Sequence, residues 1–430
     1  MIDYYTGKRP RKYNLRPKIN IYTMPKSGEQ HNPKTIDFLN RFLEKRNPPP
    51  VYGKIENTLS KKKVFEDPRK IEEMSGKLFQ VYDFPSYLRP TVNQKADGWK
   101  LNVLNTYSGS MINLTQYEGI DDYLKQNFSA GRRSKFRTYK KRLEIAFNIE
   151  YKTYYGYISK QEYNNLFDAL YQMITRRFSQ RNLQNHDIGN WEVYKEIAYP
   201  LINKKEGVLF VIYHDKKPIS ISFDILFDKI VYGYLRSYDI DYAKFYLGFI
   251  DANRQLEWHF TNGFEIFDLL KGQYDYKSKL TDSSYYFQKH IIYDSKSFAA
   301  SIQGTLTTIR VKLFYNFIKL LKMFKVHLIY HKLMDYIIQR KLSKYPLTAS
   351  TKNKEVISCV DIVELEDSKI LKPISLENRD FFFLKKHVYD FLYTNKESLD
   401  SIKLFELKGE SNAFAICGQK KIRKIAFETV

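Results

Sequence analysis

Acidic residues, cysteine and tryptophan are all scarce in this 430-residue sequence. The two cysteines, Cys359 and Cys417, are 58 positions apart in the chain (417 minus 359). They offer neither a disulfide framework nor the close Cys spacing of a structural metal site. No uncharged apolar run reaches the roughly 18 residues that would span a bilayer, so no membrane-crossing helix is predicted. The sequence after Met1 turns basic with no apolar stretch behind it, so a secretory leader is not predicted and the expected location is the cytoplasm. Internal repeats are absent, which excludes solenoid and propeller arrays. Asp and Glu number 48 against 71 Lys and Arg, a formal charge of +23. Such an excess favours an anionic partner: nucleic acid, acidic lipid or a phosphorylated ligand. A basic surface that is merely solvated is the plainer reading of the same excess.

Aromatic side chains are abundant, with 36 Tyr and 30 Phe against 3 Trp, and hydrophobic residues make up 43% of the chain. That is enough for a packed core and excludes wholesale disorder. The length is long for a single core and predicts two or three domains.

Residues 1–60 are rich in Pro and Lys and read as an extended arm with one short helix at 35–46, where Ile36, Leu39 and Leu43 share a face. Residues 60–100 read as transitional, with Pro85 and Pro90 around a turn. Helical patterning covers 119–146, which carries Arg132, Arg133, Lys135, Arg137, Lys140, Lys141 and Arg142. A strand is predicted at 149–157. An amphipathic helix follows at 160–182, then another at 190–204. The clearest strand signal is at 207–238. There Gly207–Tyr213, Ile219–Phe227 and Ile230–Tyr238 are separated by His214-Asp215-Lys216-Lys217-Pro218 and Asp228-Lys229. Their near-continuous apolar runs predict a meander covered on both faces. A helix at 247–262 and strands at 264–270 and 285–293 follow. A basic helix or helix pair is predicted at 305–342, with Leu313, Phe317, Leu320, Phe324 and Leu328 as its seam. Residues 355–430 read as a strand near 355–364, a helix near 379–393, and a hairpin at 402–428 turning at Gly418-Gln419.

Three stretches carry a family resemblance. The first is Tyr123-Leu124 with Ser129-Ala130-Gly131-Arg132-Arg133 and the basic helix to Leu143-Glu144. The second is Ser237-Tyr238-Asp239 with Tyr242, then Gly248 opening a helix. The third is Gly263-Phe264-Glu265-Ile266-Phe267-Asp268, then Gly272, then Tyr276-Lys277. In this order, residues 110–295 resemble the GNAT-superfamily acetyltransferase domain of BioF-like, cellulose-biosynthesis (CelD-type) proteins, a branch related to the FemAB peptidyltransferases. The resemblance implies an α/β (α+β) fold, a GNAT-like mixed sheet flanked by helices. It also implies an acyltransferase that moves an acyl group from acyl-CoA to an amine, although one family signature is missing. Gln or Arg, two residues, Gly, one residue, then Gly or Ala does not occur, and only Gly248 stands at that place. Another acyl carrier or an aminoacyl donor therefore stays open beside acyl-CoA. The acceptor class includes envelope or polysaccharide precursors.

Under this resemblance, the chain divides into an N-terminal arm and partial first lobe (1–99), the acyltransferase domain (100–297), a basic helical segment (298–346) and a small α/β appendage (347–430). Asp268 or Asp239 is the candidate base and Tyr276 the candidate acid; all three are expected to face one cleft. Tyr238, Tyr242, Tyr246, Gly248, Gly272 and Lys277 are the candidate donor-binding residues. Helix starts hold anions because their first N–H groups lack partners, which assigns the 242–248 stretch to a donor phosphate. No metal is expected. Plainer roles exist for the same residues: Gly272 as a turn, Asp268 as a cap or partner of Lys277, Tyr276 as packing, Asp239 as a loop anchor and His259 as a half-buried structural histidine. Two non-catalytic readings also stand, a nucleic-acid binder using Arg132–Arg142 and a peripheral protein using the 305–342 helix on an anionic membrane surface.

Overall fold

The computed structural model describes residues 35–44, 51–66, 76–92, 98–180, 191–272, 275–324, 356–362, 364–365, 370–408 and 412–427. Its centre is a mixed nine-stranded sheet. In chain order the strands are β1 (Thr35–Asp37), β2 (Leu78–Pro85), β3 (Trp99–Asn113), β4 (Ile149–Tyr154), β5 (Gly207–His214), β6 (Lys217–Phe227), β7 (Ile230–Tyr238), β8 (Ile266–Lys271) and β9 (Ser283–Asp294). Across the sheet they run β1-β2-β9-β3-β8-β7-β6-β5-β4. Only β1 with β2 and β8 with β7 are parallel pairs.

The meander predicted at 207–238 forms β5, β6 and β7, neighbours in one sheet. Val208 to Ile212 are all fully buried, because their alternate side chains enter cores on opposite faces. One face is covered by α3 (Lys160–Gln180), α4 (Trp191–Asn203) and the 36–43 segment. The other is covered by α1 (Ile120–Asn127), α2 (Ala130–Ala146) and α5 (Leu247–Thr261). A short α6 spans Asp275–Leu280, and α7 spans Phe298–Met323. Beyond it a five-stranded sheet and α8 (Lys385–Asn395) form a C-terminal unit.

Three sequence expectations change. The helix expected at 35–46 is shorter: Thr35–Asp37 form β1 and pair with Gln80–Tyr82, and the helical turns follow at 38–44. Ile36, Leu39 and Leu43 are buried as expected, and Phe38 and Phe42 join them against Phe84 and Phe227. The 60–100 stretch supplies β2 to the main sheet, so the expected division near residue 100 falls inside one continuous sheet. The seam expected on the basic helix, Leu313, Phe317, Leu320 and Phe324, faces outward, while Val311 and Ile318 are the buried side chains. The rest of that expected helix, 325–342, lies outside the described residues, as do 1–34 and 45–50 of the expected arm.

Candidate functional site

The parallel pair β7–β8 is short. Ile230, Val231 and Tyr232 pair with Ile266, Phe267 and Asp268, and the pairing stops there. Past that point β7 carries a bulge between Gly233 and Leu235 and continues to Tyr238 against β6, while β8 continues toward Lys271 against β3. A bulge adds a residue and bends its strand, so the two parallel strands part company. Gly233 allows a close approach at the fork: a Cβ there would lie 2.6 Å from the Arg236 guanidinium, which folds back over it, and 3.1 Å from Leu269.

Asp268 stands at the fork and is fully buried. It accepts hydrogen bonds from the Tyr87 hydroxyl at 2.7 Å, the Tyr285 hydroxyl at 2.7 and 2.8 Å and the Leu270 amide at 2.7 Å. Burial pushes its carboxyl up to about 6, against the lowering effect of those donors and of Lys277. Burial, and then the charge of Asp268, hold both tyrosine hydroxyls well above their ordinary range. Tyr285 reaches Asp268 by crossing Gly109 on the intervening strand, where a Cβ would lie 2.3 Å from its ring. Beside this cluster Lys271 pairs with Asp83, a buried residue in the left-handed backbone region at φ 63°.

The opposite face of the fork is held by a buried polar seam under α5. Asp251 accepts from Ser222 at 2.5 Å and from Gln255 at 2.6 Å, and the Asp224 carboxylate lies 3.6 Å from Arg236 and 3.5 Å from His259. His259 is fully buried, more so than its half-buried sequence reading, and burial lowers its affinity for a proton. A paired, desolvated seam of this kind fixes the orientation of α5 on the sheet more than it adds stability.

β7 leads to α5 through a turn at Ile240–Phe245. Tyr246 adopts the left-handed conformation at φ 56°, offers no side-chain cap, and stacks on Tyr139 at 4.2 Å between ring centres. Gly248 is exposed; a Cβ there would meet only the Tyr238 ring, at 3.6 Å. Arg177 lies over that ring, 4.8 Å from its centre. The helix start thus has an exposed glycine, an uncapped first turn and an arginine close by, features suited to an anion.

The remaining sequence candidates divide. Gly272 has φ 101° and makes the turn after β8. The Tyr276 side chain lies outside the described residues. Tyr242 is fully buried, with its hydroxyl on His214 Nδ1 at 2.7 Å and its ring against Tyr389 at 4.6 Å, so it packs the turn instead of facing a ligand. Lys277 is buried and donates to the carbonyls of Leu269 and Lys271 at 2.6 and 2.5 Å, which ties α6 to the end of β8. Burial, and then Arg236, lower its ammonium to about 8.

Asp239 does not join Asp268. It lies seven positions beyond Tyr232 (239 minus 232), which at roughly 3.3 Å per residue places it about 20 Å along β7 from the fork. There Arg176 at 2.8 Å and Lys217 at 2.7 Å pair with it, and its side chain caps the 240–245 turn by accepting from the Asp241 amide. Burial works to raise its carboxyl, but Lys217 and Arg176 prevail and hold it below its ordinary range. Asp239 and Asp268 therefore stand well apart along the sheet and are not brought together. Sequence reasoning missed Tyr87, Tyr285, Gly109, Gly233, Arg236 and Arg177. The one local signal was Gly233 interrupting a strand pattern, since glycine within a strand marks a bulge or a close approach.

Among the described residues no group of three His, Cys, Asp or Glu could hold a metal ion. A family model for the "Acetyltransferase (GNAT) domain" matches residues 130–278. Among solved structures, the chain is similar to FemX at 11% identity over 50% of this chain and 72% of that one, with a TM-score of 0.35. It is also similar to L-PGS from Bacillus licheniformis at 10% identity over 55% and 73%, with a TM-score of 0.32. A conserved protein from Bacteroides thetaiotaomicron matches at 10% identity over 50% and 69%, with a TM-score of 0.33. No curated protein matches the chain.

Proposed function

We propose that this chain, whose residues 130–278 match a GNAT-type acetyltransferase domain, transfers an acyl group from a thioester donor, in the first place acyl-CoA, directly to an amine at the β7–β8 fork. The observation that carries the reading is the parting of β7 from β8 beyond Tyr232 and Asp268, with β7 running on to the exposed start of α5. A donor phosphate at Gly248 and a pantetheine arm along β7 would bring the thioester toward Asp268. Holding amine and thioester in register can itself supply roughly 7–11 kcal/mol.

The amine nitrogen bonds to the acyl carbon, the carbon–sulfur bond breaks, and the nitrogen loses a proton. Asp268 is the proton's destination in this reading. Because it is covered by Tyr87 and Tyr285, the proton travels through a tyrosine hydroxyl, which accepts from the amine side as it donates to Asp268. Tyr276 is the group proposed to protonate the leaving thiolate. The alternative donors, another acyl carrier or an aminoacyl ester, are accommodated by the same fork, and the missing glycine signature is the feature that favours testing them.

The test is an acyl-transfer assay of the full chain with acyl-CoA and amine panels, alongside native mass spectrometry of the purified protein. Gly248→Pro is the decisive variant. Gly248 is the second residue of α5, where proline is compatible with the helix but removes an N–H. The expected result is loss of transfer with an unchanged melting curve. Transfer at the original rate by a folded variant would place the donor elsewhere.

A further inference from the structure

We infer that α7 is a docking surface for an anionic phospholipid bilayer, a property that does not depend on which donor or acceptor the fork uses. Helix α7 lies on the sheet through one line of side chains. Val311 and Ile318 are buried, the chain approaches so closely at Gly304 that a Cβ would lie 2.4 Å from the Tyr293 ring, and Thr308 accepts from Asn102 at 2.9 Å. With about 100° between successive residues, Ile302, Leu306, Ile309, Leu313, Phe317 and Leu320 fall on the opposite side. All six are exposed, Leu306 at 61% and Leu313 at 64%, so the helix carries a second apolar stripe that no described residue covers. Stray exposed leucines are ordinary, but a continuous stripe along a helix of about 39 Å marks an interaction surface.

Charge selects the occupant. Arg310 flanks the stripe on one side, and Lys312 and Lys319 flank it on the other; all three are exposed. The helix contains no Asp or Glu. Two copies stacked stripe to stripe would set cations against cations with no carboxylate between them, in a chain already at +23. A bilayer with anionic headgroups satisfies both features at once: the apolar side chains enter the acyl boundary while the flanking cations meet phosphate. The helix is not long and apolar enough to cross, so it lies in the plane of the surface.

Flotation of the full chain with vesicles tests this. It is expected to float with vesicles of phosphatidylcholine and phosphatidylglycerol, to release from them at high salt, and to remain unbound with phosphatidylcholine alone. The double variant Leu306→Asp/Leu313→Asp changes two exposed side chains, so it should keep its melting temperature and lose about tenfold or more in vesicle affinity. Absence of flotation with either vesicle, or undiminished flotation of the double variant, overturns the inference. So does sedimentation as a dimer that Leu313→Asp dissociates, which would assign the stripe to a second copy. Acyl transfer measured on soluble substrates is scored separately, so failure here and failure of the proposed chemistry are told apart.

Discussion

Asp268 and Asp239 show how two carboxylates of similar sequence context acquire opposite characters. Asp239 is held ionised by Arg176 and Lys217 and anchors a turn. Asp268 keeps its carboxylate on tyrosine hydroxyls and an amide, with Lys277 only a minor lowering influence. Its folded value of about 6 lies above the ordinary carboxylate value, so folding favours the protonated form. That contribution is fully present below the unfolded value of about 4 and is lost as pH rises through about 6, an effect of about 3 kcal/mol. Unfolding free energy of the native chain should therefore fall between these pH values relative to Asp268→Asn, as read by denaturant titration at each pH. As the proposed base, Asp268 must be ionised, so kcat/KM should drop on the acid side with a midpoint of about 6. Asp268→Asn should lower kcat by roughly 100-fold or more while donor KM changes little. Equal kcat in the variant would remove Asp268 from the chemistry. Gly109 is the companion test. Gly109→Ala forces the Tyr285 ring off its path to Asp268 and should destabilise the fold by about 1–3 kcal/mol, measurable by thermal and chemical denaturation.

Strand and helix elements owe their places to signals of unequal strength. The meander of β5, β6 and β7 reads directly from apolar runs broken by turn residues, since burial on both faces leaves no polar alternation. β3 is an interior strand that the sequence hides. Its run from Asn105 to Ser110 includes Asn105, Gly109 and two serines, which weaken the strand pattern, and the neighbours β8 and β9 complete its ladder. The bulge at Gly233 belongs to this scale too, because a single misfit in the β6–β7 register parts two strands that are otherwise parallel neighbours. The 240–248 link then converts the direction of β7 into an exposed helix start, with the buried seam of Asp224, Arg236, His259, Asp251 and Gln255 holding α5 at a set height.

Across the whole molecule, the C-terminal unit is joined to this link. Tyr389 of α8 packs on Phe147 at 4.9 Å and Tyr242 at 4.6 Å, and Phe245, Leu247 and Ile250 share the same core with Val388, Phe391 and Leu392. Removing the Tyr389 ring leaves a cavity beneath the turn that sets the start of α5. Tyr389→Ala should cost about 3 kcal/mol in stability, and it should raise donor KM more than it lowers kcat. A melting curve and steady-state kinetics on the same preparation check both. An unchanged KM in a destabilised variant would mean that the C-terminal unit supports the fold without shaping the helix start.

Local chemistry determined much of this protein from the sequence alone. Helical periodicity placed α2, α3, α4 and α5, turn residues placed the meander, and the Gly248 and Asp268 stretches carried the family resemblance. Those features depend on residues within one or two turns or strands of one another, where spacing translates directly into geometry. Tertiary structure decided which carboxylate stands at the fork and what surrounds it. Tyr87 and Tyr285 reach Asp268 from 181 and 17 positions away, and Arg176 and Lys217 claim Asp239 from 63 and 22. It also turned the Leu313–Phe317–Leu320 seam outward, because Val311 and Ile318 took the sheet-facing side of α7. A one-dimensional pattern specifies that a helix has an apolar side; when it has two, only the shape of the surface beneath decides which is buried.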